Sequence, residues 1–383
     1  MVRLPPREGQ AIPGELAVDQ ALANVRVLDI SSSAGGAWCT RLLADLGADV
    51  ILLEPPGGHP LRSEAPFDLD GRSLVAEYFL ANKRAARFDF EADDCAGRLA
   101  ALAKPVDVVV TSLRPSEAGR LGLSYAAFGN ASLVVAHITP YGISGKRADT
   151  PGNELTVAAL SGWAALNGQA SSSPLRPTGH QVAFCAGTVA AGCVIAALVD
   201  RDREGGAGQE VDISELDVMV SAGSPGILRG QYTGHSTPRR ESADVTAGPV
   251  PVADGYFALT ISRAHFWRDA MTVLGLHDLA EDPRWETSWY RQSHKDEYSG
   301  RVGEAMLGWK KADLFEELAA RRVVAGPVLT MEELRSNSHL AERHFWTEAD
   351  GQDFPGAPFR MSATPWRLRS RAPEPPTTEV EAK

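Results

Sequence analysis

Residues 31–36 read Ser-Ser-Ser-Ala-Gly-Gly and lie between an apolar run, VRVLDI at 25–30, and the amphipathic stretch 37–46. Taken as strand, tight turn and helix, this is a place where backbone can do chemistry. Glycines let a ligand approach the main chain, and a helix N-terminus offers N–H donors to an anion. Glu54 ends the next apolar run, where a dinucleotide site keeps the carboxylate that holds a ribose. The glycine spacing is not GxGxxG, however, and the chain contains neither GKS nor GKT. Neither a nicotinamide site nor a P-loop is therefore expected. No Ser-His-Asp order and no zinc-ligand spacing stands out. The four cysteines, Cys39, Cys95, Cys185 and Cys193, include no CxxC pair. No metal is expected, and the sparse cysteines fit a reducing cytoplasm.

The elements that would hold this turn alternate in type. A strand at 25–30, a helix at 37–46 and a strand at 49–53 (DVILL) form a βαβ unit, which predicts a parallel sheet with a right-handed crossover. Strands at 106–111 and 131–139 extend it. Residues 154–166 and 187–201 are Ala-rich helices, small enough along their faces for close helix–helix approach. A short strand at 210–213 precedes a helix at 214–221. The texture then changes. Residues 230–248 form a polar loop stretch, and 253–262 alternate with period two after an Asp-Gly turn. Amphipathic helices follow at 266–274 and 311–321, then 323–327 and short apolar strands near 359–362. Residues 1–20 read as a flexible arm without a signal-peptide core, and 371–383 (RAPEPPTTEVEAK) as a disordered tail. A net charge of −11 argues against nucleic-acid or anionic-membrane binding. The best apolar run, 188–199, is too short to span a bilayer.

Several blocks in fixed order resemble the class III CoA-transferases, the CaiB/BaiF family of formyl-CoA transferase, carnitine CoA-transferase and α-methylacyl-CoA racemase. They are VRVLDISSSAGGAWCTRLLADLGADVILLEPPGGHPLR, ANKRAARFDF, VDVVVTSLRPSEAGRLGLSYAAFGNASLVVAHITPYGISG, PGNELTVAALSG, GQEVDISELDVM, VADGYFALTI, VVAGPVLTMEEL and APFRMSATP. Each is weak alone; together they run from about Val25 to Leu368. The resemblance implies an α/β fold: an open parallel-sheet large domain made from the N-terminal part plus a C-terminal return, with a smaller α+β domain between, and two chains interlocked as linked rings. Applied here, it implies an arm at 1–20, a CoA-binding domain at 21–224, a small domain at 225–322, a return at 323–370 and the tail at 371–383.

The same resemblance implies the chemistry. Such a transferase attacks an acyl-CoA thioester with a carboxylate, passing through an anhydride to an enzyme–CoA thioester, and only an ionisable carboxylate can serve as that acyl carrier. The family's text "GVPLADLAAG" becomes TGHQVAFCAG here, so the aspartate position holds Ala183. Weak substitutes are Glu154, which also suits a helix start by its dipole, His180, and Cys185, which reads more readily as a small buried hydrophobe. Ser33 and Ala34 are expected to face the thioester, and Arg62, Asn82, Lys83, Arg84 and Arg114 to hold the phosphates of coenzyme A. Ser112 stands where the family keeps a cofactor-contacting asparagine. The expected ligands are an acyl-CoA and a carboxylic acid. The expected assembly is a homodimer, or a heterodimer with a homologous chain carrying the aspartate. Two alternatives stay open: a non-catalytic subunit, and an acyl-CoA-binding protein that has lost turnover.

Overall fold

Runs of Val, Ile and Leu without polar alternation make strands buried on both faces, and six strands form one parallel sheet. In chain order they are β1 (Arg26–Ile30), β2 (Asp49–Glu54), β3 (Arg84–Arg87), β4 (Val108–Thr111), β5 (Val134–Thr139) and β6 (Glu210–Ser214). The spatial order is β3-β2-β1-β4-β5-β6. The computed structural model describes residues 20–235, 239, 248–261 and 263–380. Two compact units result, one from Met1–Asn167, Pro174–Pro238 and Phe345–Lys383, the other from Gly168–Ser173 and Arg239–His344.

The first unit carries the sheet and, among the described residues, ten α-helices. They are α1 (Ala34–Asp45), α2 (Leu74–Leu80), α3 (Cys95–Ala103), α4 (Pro115–Arg120), α5 (Tyr125–Phe128), α6 (Glu154–Leu160), α7 (Trp163–Leu166), α8 (Gln181–Arg201), α9 (Glu215–Ala222) and α10 (Ser224–Thr233). Alternate strand residues face opposite layers. Leu28, Ile51 and Val109 pack with Leu99 and Leu102 of α3. Val27, Val50 and Val108 pack with Leu43 of α1 and with Ala190, Val194 and Leu198 of α8. α8 lies hard against α1 because Gly187 has no side chain: a Cβ there would meet the Gly35 carbonyl oxygen at 2.6 Å and Trp38 Cβ at 2.9 Å. The strand order reverses between β1 and β4. In sheets of this order the crevice outside the carboxyl ends of those two strands is the ligand position.

A buried charge pair organises that crevice. Asp29 of β1 is fully buried and accepts from Ser31 N at 3.0 Å, Ser31 Oγ at 2.6 Å and Thr40 Oγ1 at 2.5 Å. Lys83, just before β3, reaches Asp29 Oδ2 at 3.1 Å and the Ala37 carbonyl at 2.9 Å. Turn, helix α1 and the β3 edge are thereby tied to one carboxylate. Burial pulls the Lys83 ammonium down from its usual range, and Asp29 opposes that pull. Asn82, in left-handed conformation at φ 63°, donates to Asp45 and accepts from the Arg369 and Ser370 amides. The C-terminal return is stitched on there.

Several expectations shift. The helix expected at 37–46 begins three residues earlier, behind Ser33, whose Oγ accepts from Gly36 N at 3.1 Å. The helix expected at 154–166 breaks into α6 and α7 because Gly162 turns left-handed at φ 84°. The helix expected from 187 starts at Gln181, and it is long and apolar enough by composition to cross a membrane. That corrects the reading that no run is long enough. Here one side of it fills the layer beside the sheet. Strand β3 was not foreseen, its Arg-Ala-Ala-Arg lacking apolar length. Residues 359–362 form no strand; the hairpin Trp346–Ala349 and Gln352–Pro355 lies just before them. The tail expected to be disordered is placed as far as residue 380: Arg371 pairs with Glu77, Glu379 bridges to Arg87, and Val380 is buried among Phe88 and Leu99. Residues 1–19 of the expected arm and 381–383 lie outside the described residues.

The second unit has its own core. An antiparallel sheet of β7 (Val250–Val252), β8 (Gly255–Thr260) and β9 (Val324–Pro327) packs with helices around Trp267, Trp285 and Tyr298. The Asp254-Gly255 turn between β7 and β8 is made by Gly255 at φ 147°. Residues 323–344 group with this sheet rather than with the first unit, while α10 groups with the first.

Replacing Lys83 with Met leaves the Asp29 carboxylate buried without its cation. The expected loss is about 3–5 kcal/mol of stability by urea denaturation. Arg84→Met, which breaks only the half-exposed pair with Asp49, is expected to cost less than about 1 kcal/mol in the same assay.

Candidate functional site

At the switch point between β1 and β4 the first unit holds a cavity of about 610 Å³, within the range of small-molecule sites. Its floor is the turn Ser32–Gly35 after β1 and Ser112–Arg114 after β4. Ser112 joins the two, its Oγ accepting from Ser32 N at 2.8 Å and Ser33 N at 3.2 Å. The missing asparagine is therefore replaced by a short hydroxyl that holds the turn. The amides of Ala34 and Gly35, first in α1, donate to nothing among the described residues, as expected of the opening N–H groups of a helix.

The opposite wall is made by the starts of α6, α8 and α9, which contribute Glu154, Ala183 and Glu215. Positive helix ends thus surround the space, which favours an anion or a developing oxyanion. α8 has no side-chain cap of its own. Glu154 supplies one from another helix: its Oε1 accepts from Val182 N at 2.6 Å and its Oε2 from Ala183 N at 3.3 Å. No local cap signal exists at 180–183, so the start of α8 is not legible in its own text. Trp38, Phe79 and Phe184 pack ring on ring behind this start, and Trp38 Nε1 donates to Thr188 Oγ1 at 3.1 Å.

Glu215 was not singled out in the sequence. In the run VDISELD it reads as a first-turn acid behind the Ser214 cap, no different from Asp217. In the fold it is only 7% exposed. Its carboxylate makes no hydrogen bond or ion pair among the described residues, and its Oε1 lies 2.7 Å from where a Cβ on Gly35 would be. Burial, and then the neighbouring Glu154 charge, push its carboxyl up to about 7. Burial raises Glu154 as well, against the pull of the two amides it caps.

The other expected site residues separate into two groups. Ser33, Ala34, Arg114, Glu154, His180 and Ala183 come together at the cavity. Arg114 is held by Glu117 at 2.8 Å, and His180 lies 3.5 Å from Glu64. Arg176, unmarked in the sequence, also lines the space and is exposed. Elsewhere, Arg62 forks onto Glu54 at 2.6 and 2.8 Å, which also takes Glu54 away from any ribose role. Asn82 and Lys83 are buried in the contacts described above, and Arg84 holds Asp49. Cys185 packs with Val157, Val182 and Met219, and burial raises its thiol.

Comparison with known proteins places this geometry in a family. The model of CoA-transferase family III matches residues 22–376. A succinate–glutarate CoA-transferase of Agrobacterium fabrum is 28% identical, with 94% of each chain covered. The BbsE subunit of succinyl-CoA:(R)-benzylsuccinate CoA-transferase from Thauera aromatica is 32% identical, covering 92% of this chain and 91% of that one. Among solved structures, a CAIB/BAIF family protein from Brucella suis superposes with a TM-score of 0.84 at 26% identity, covering 93% of this chain and 96% of its own.

A glutamate whose folded pKa is raised from 4.5 to about 7 holds a proton between those values that the unfolded chain has released. Stability is therefore expected to fall as pH rises through that window, by about 3 kcal/mol in all, and then to level off. Urea denaturation at pH 5, 6, 7 and 8 checks this, and Glu215→Gln is expected to flatten the slope.

Proposed function

The chain belongs to CoA-transferase family III, and on that footing we propose that the switch-point cavity is its acyl-CoA site, at which CoA passes from an acyl-CoA to a carboxylic acid. The observation that carries this reading is the cavity's ring of helix starts. Free amides at Ala34 and Gly35 suit the thioester carbonyl, and Arg176 supplies a cation to an acidic protein that must hold an anionic ligand. The residues present fit a CoA thioester at the reacting end. Lys83 and Asn82 act inside the fold, so recognition of the phosphates rests on other groups.

A second reading has a specific observation behind it. The position expected to carry the aspartate is Ala183, 3% exposed at the cavity wall, and one similar protein is by name a subunit. A homologous chain carrying a carboxylate at that position would complete the site. Exposed Leu155 and Leu160 on α6, Val189 and Val199 on α8, and Tyr232 on α10 offer apolar surface of the kind a second chain covers.

Titration calorimetry of the purified chain is expected to show binding of CoA and of succinyl-CoA, weakening with salt. Arg176→Glu is expected to weaken binding of succinyl-CoA roughly 3–10-fold through charge reversal at the cavity. No heat from either ligand would remove the acyl-CoA reading. Exchange between succinyl-CoA and glutarate is measured for the lone chain and for the chain co-expressed with a homologue that keeps the aspartate. Activity confined to the pair supports the two-chain reading.

A further inference from the structure

We propose that Glu215 is the carboxylate through which this chain carries out CoA transfer, taking over from the α8 position that holds Ala183. This rests on the acyl-CoA reading of the cavity and names the reacting group within it. Two glutamates line that wall, and their surroundings divide the work. Glu154 has both oxygens committed to the amides of Val182 and Ala183. Acylating it would uncap the first turn of α8 and leave buried donors unsatisfied. Glu215 has no such commitment. It is nine-tenths buried at the first position of α9, its carboxylate lines the cavity, and no group among the described residues bonds to it. A buried carboxylate without a partner costs stability, so its place is explained by what it meets in the cavity.

The first turn of α1 is shaped around it. Oε1 of Glu215 occupies the space a side chain on residue 35 would need. Glycine there leaves the carboxylate room beside the first turn of α1, whose opening amides are those of Ala34 and Gly35. A thioester bound with its carbonyl oxygen on those amides would present its carbonyl carbon to Glu215, with the developing oxyanion at a positive helix end. The carboxylate oxygen adds to that carbon and the C–S bond breaks, so CoA leaves as the thiolate and the acyl group is held as a glutamyl anhydride. The thiolate then adds to the glutamyl carbonyl carbon. The anhydride C–O bond breaks, the first acid departs as its carboxylate, and CoA remains on Glu215 as a thioester. A second acid's carboxylate reverses the sequence. No oxidant, metal or net proton is required.

The test uses the full chain with succinyl-CoA, glutaryl-CoA and acetyl-CoA as probes, followed by borohydride reduction and peptide mass mapping. The expected result is a reduced thioester on the peptide containing Glu215 with at least one probe. Glu215→Gln should lose both the adduct and acyl-CoA:acid exchange by at least about a thousandfold, while its CoA affinity changes by less than about threefold. An adduct on Glu154 or another residue, or exchange that survives in Glu215→Gln, overturns the proposal. So does CoA binding by the native chain with neither adduct nor exchange from all three probes; that outcome leaves the acyl-CoA site standing and favours the two-chain reading. Absence of CoA binding would instead remove the acyl-CoA reading itself.

Discussion

The buried Asp29–Lys83 pair is the constraint on which the rest of the site depends. A carboxylate sealed inside a sheet needs compensation from every direction, and each compensating group belongs to a different element. Ser31 comes from the turn, Thr40 from α1 and Lys83 from the edge of β3. Removing one member leaves a charge in low dielectric, so the turn, α1 and the β3 edge are specified together. Ser112 then fastens the turn after β1 to β4, so the floor of the cavity is tied to both strands.

Above this floor the fold aims helix starts at a common space. Each start brings unsatisfied amides and a positive field, and the chain answers them in different ways. Ser33 caps α1 with its own hydroxyl, Ser214 caps α9, and Glu154 caps α8 from a distance. Two carboxyls so close cannot both ionise freely, and the one without hydrogen bonds takes the larger shift. The wall therefore differentiates its two acids: Glu154 is structural, and Glu215 is left uncommitted. Ala183, on the same wall, adds no charge of its own.

What was legible in the sequence follows from how local its cause is. Apolar runs predicted β1, β2, β4 and β5 because burial of a parallel strand needs nothing from its neighbours except that they be apolar. Strand β3 escaped because Arg-Ala-Ala-Arg is made a strand by pairing with β2 rather than by its own composition. The start of α8 escaped because its cap comes from residue 154. The tail after 370 was misjudged because its Pro- and Glu-rich text carries little apolar signal, while its anchors, Glu77, Arg87 and the pocket around Val380, lie hundreds of residues away in the chain. The partners of the basic residues were hidden for a related reason. A sequence shows that Arg62, Lys83 and Arg84 are cationic, and only the fold shows that Glu54, Asp29 and Asp49 already hold them.

By itself the sequence determined the class of sheet, the turn that lines the cavity, and the position where an expected carboxylate is missing, because hydrophobic runs, glycines and a single alanine are local facts. Only the tertiary structure decided which acids share the cavity wall with that alanine, and which of them is uncommitted. Glu215 is set apart by burial, by the absence of a hydrogen-bond partner among the described residues and by its approach to Gly35, far earlier in the chain. These are properties of the space between elements, and that space exists only once the helix starts have been brought together.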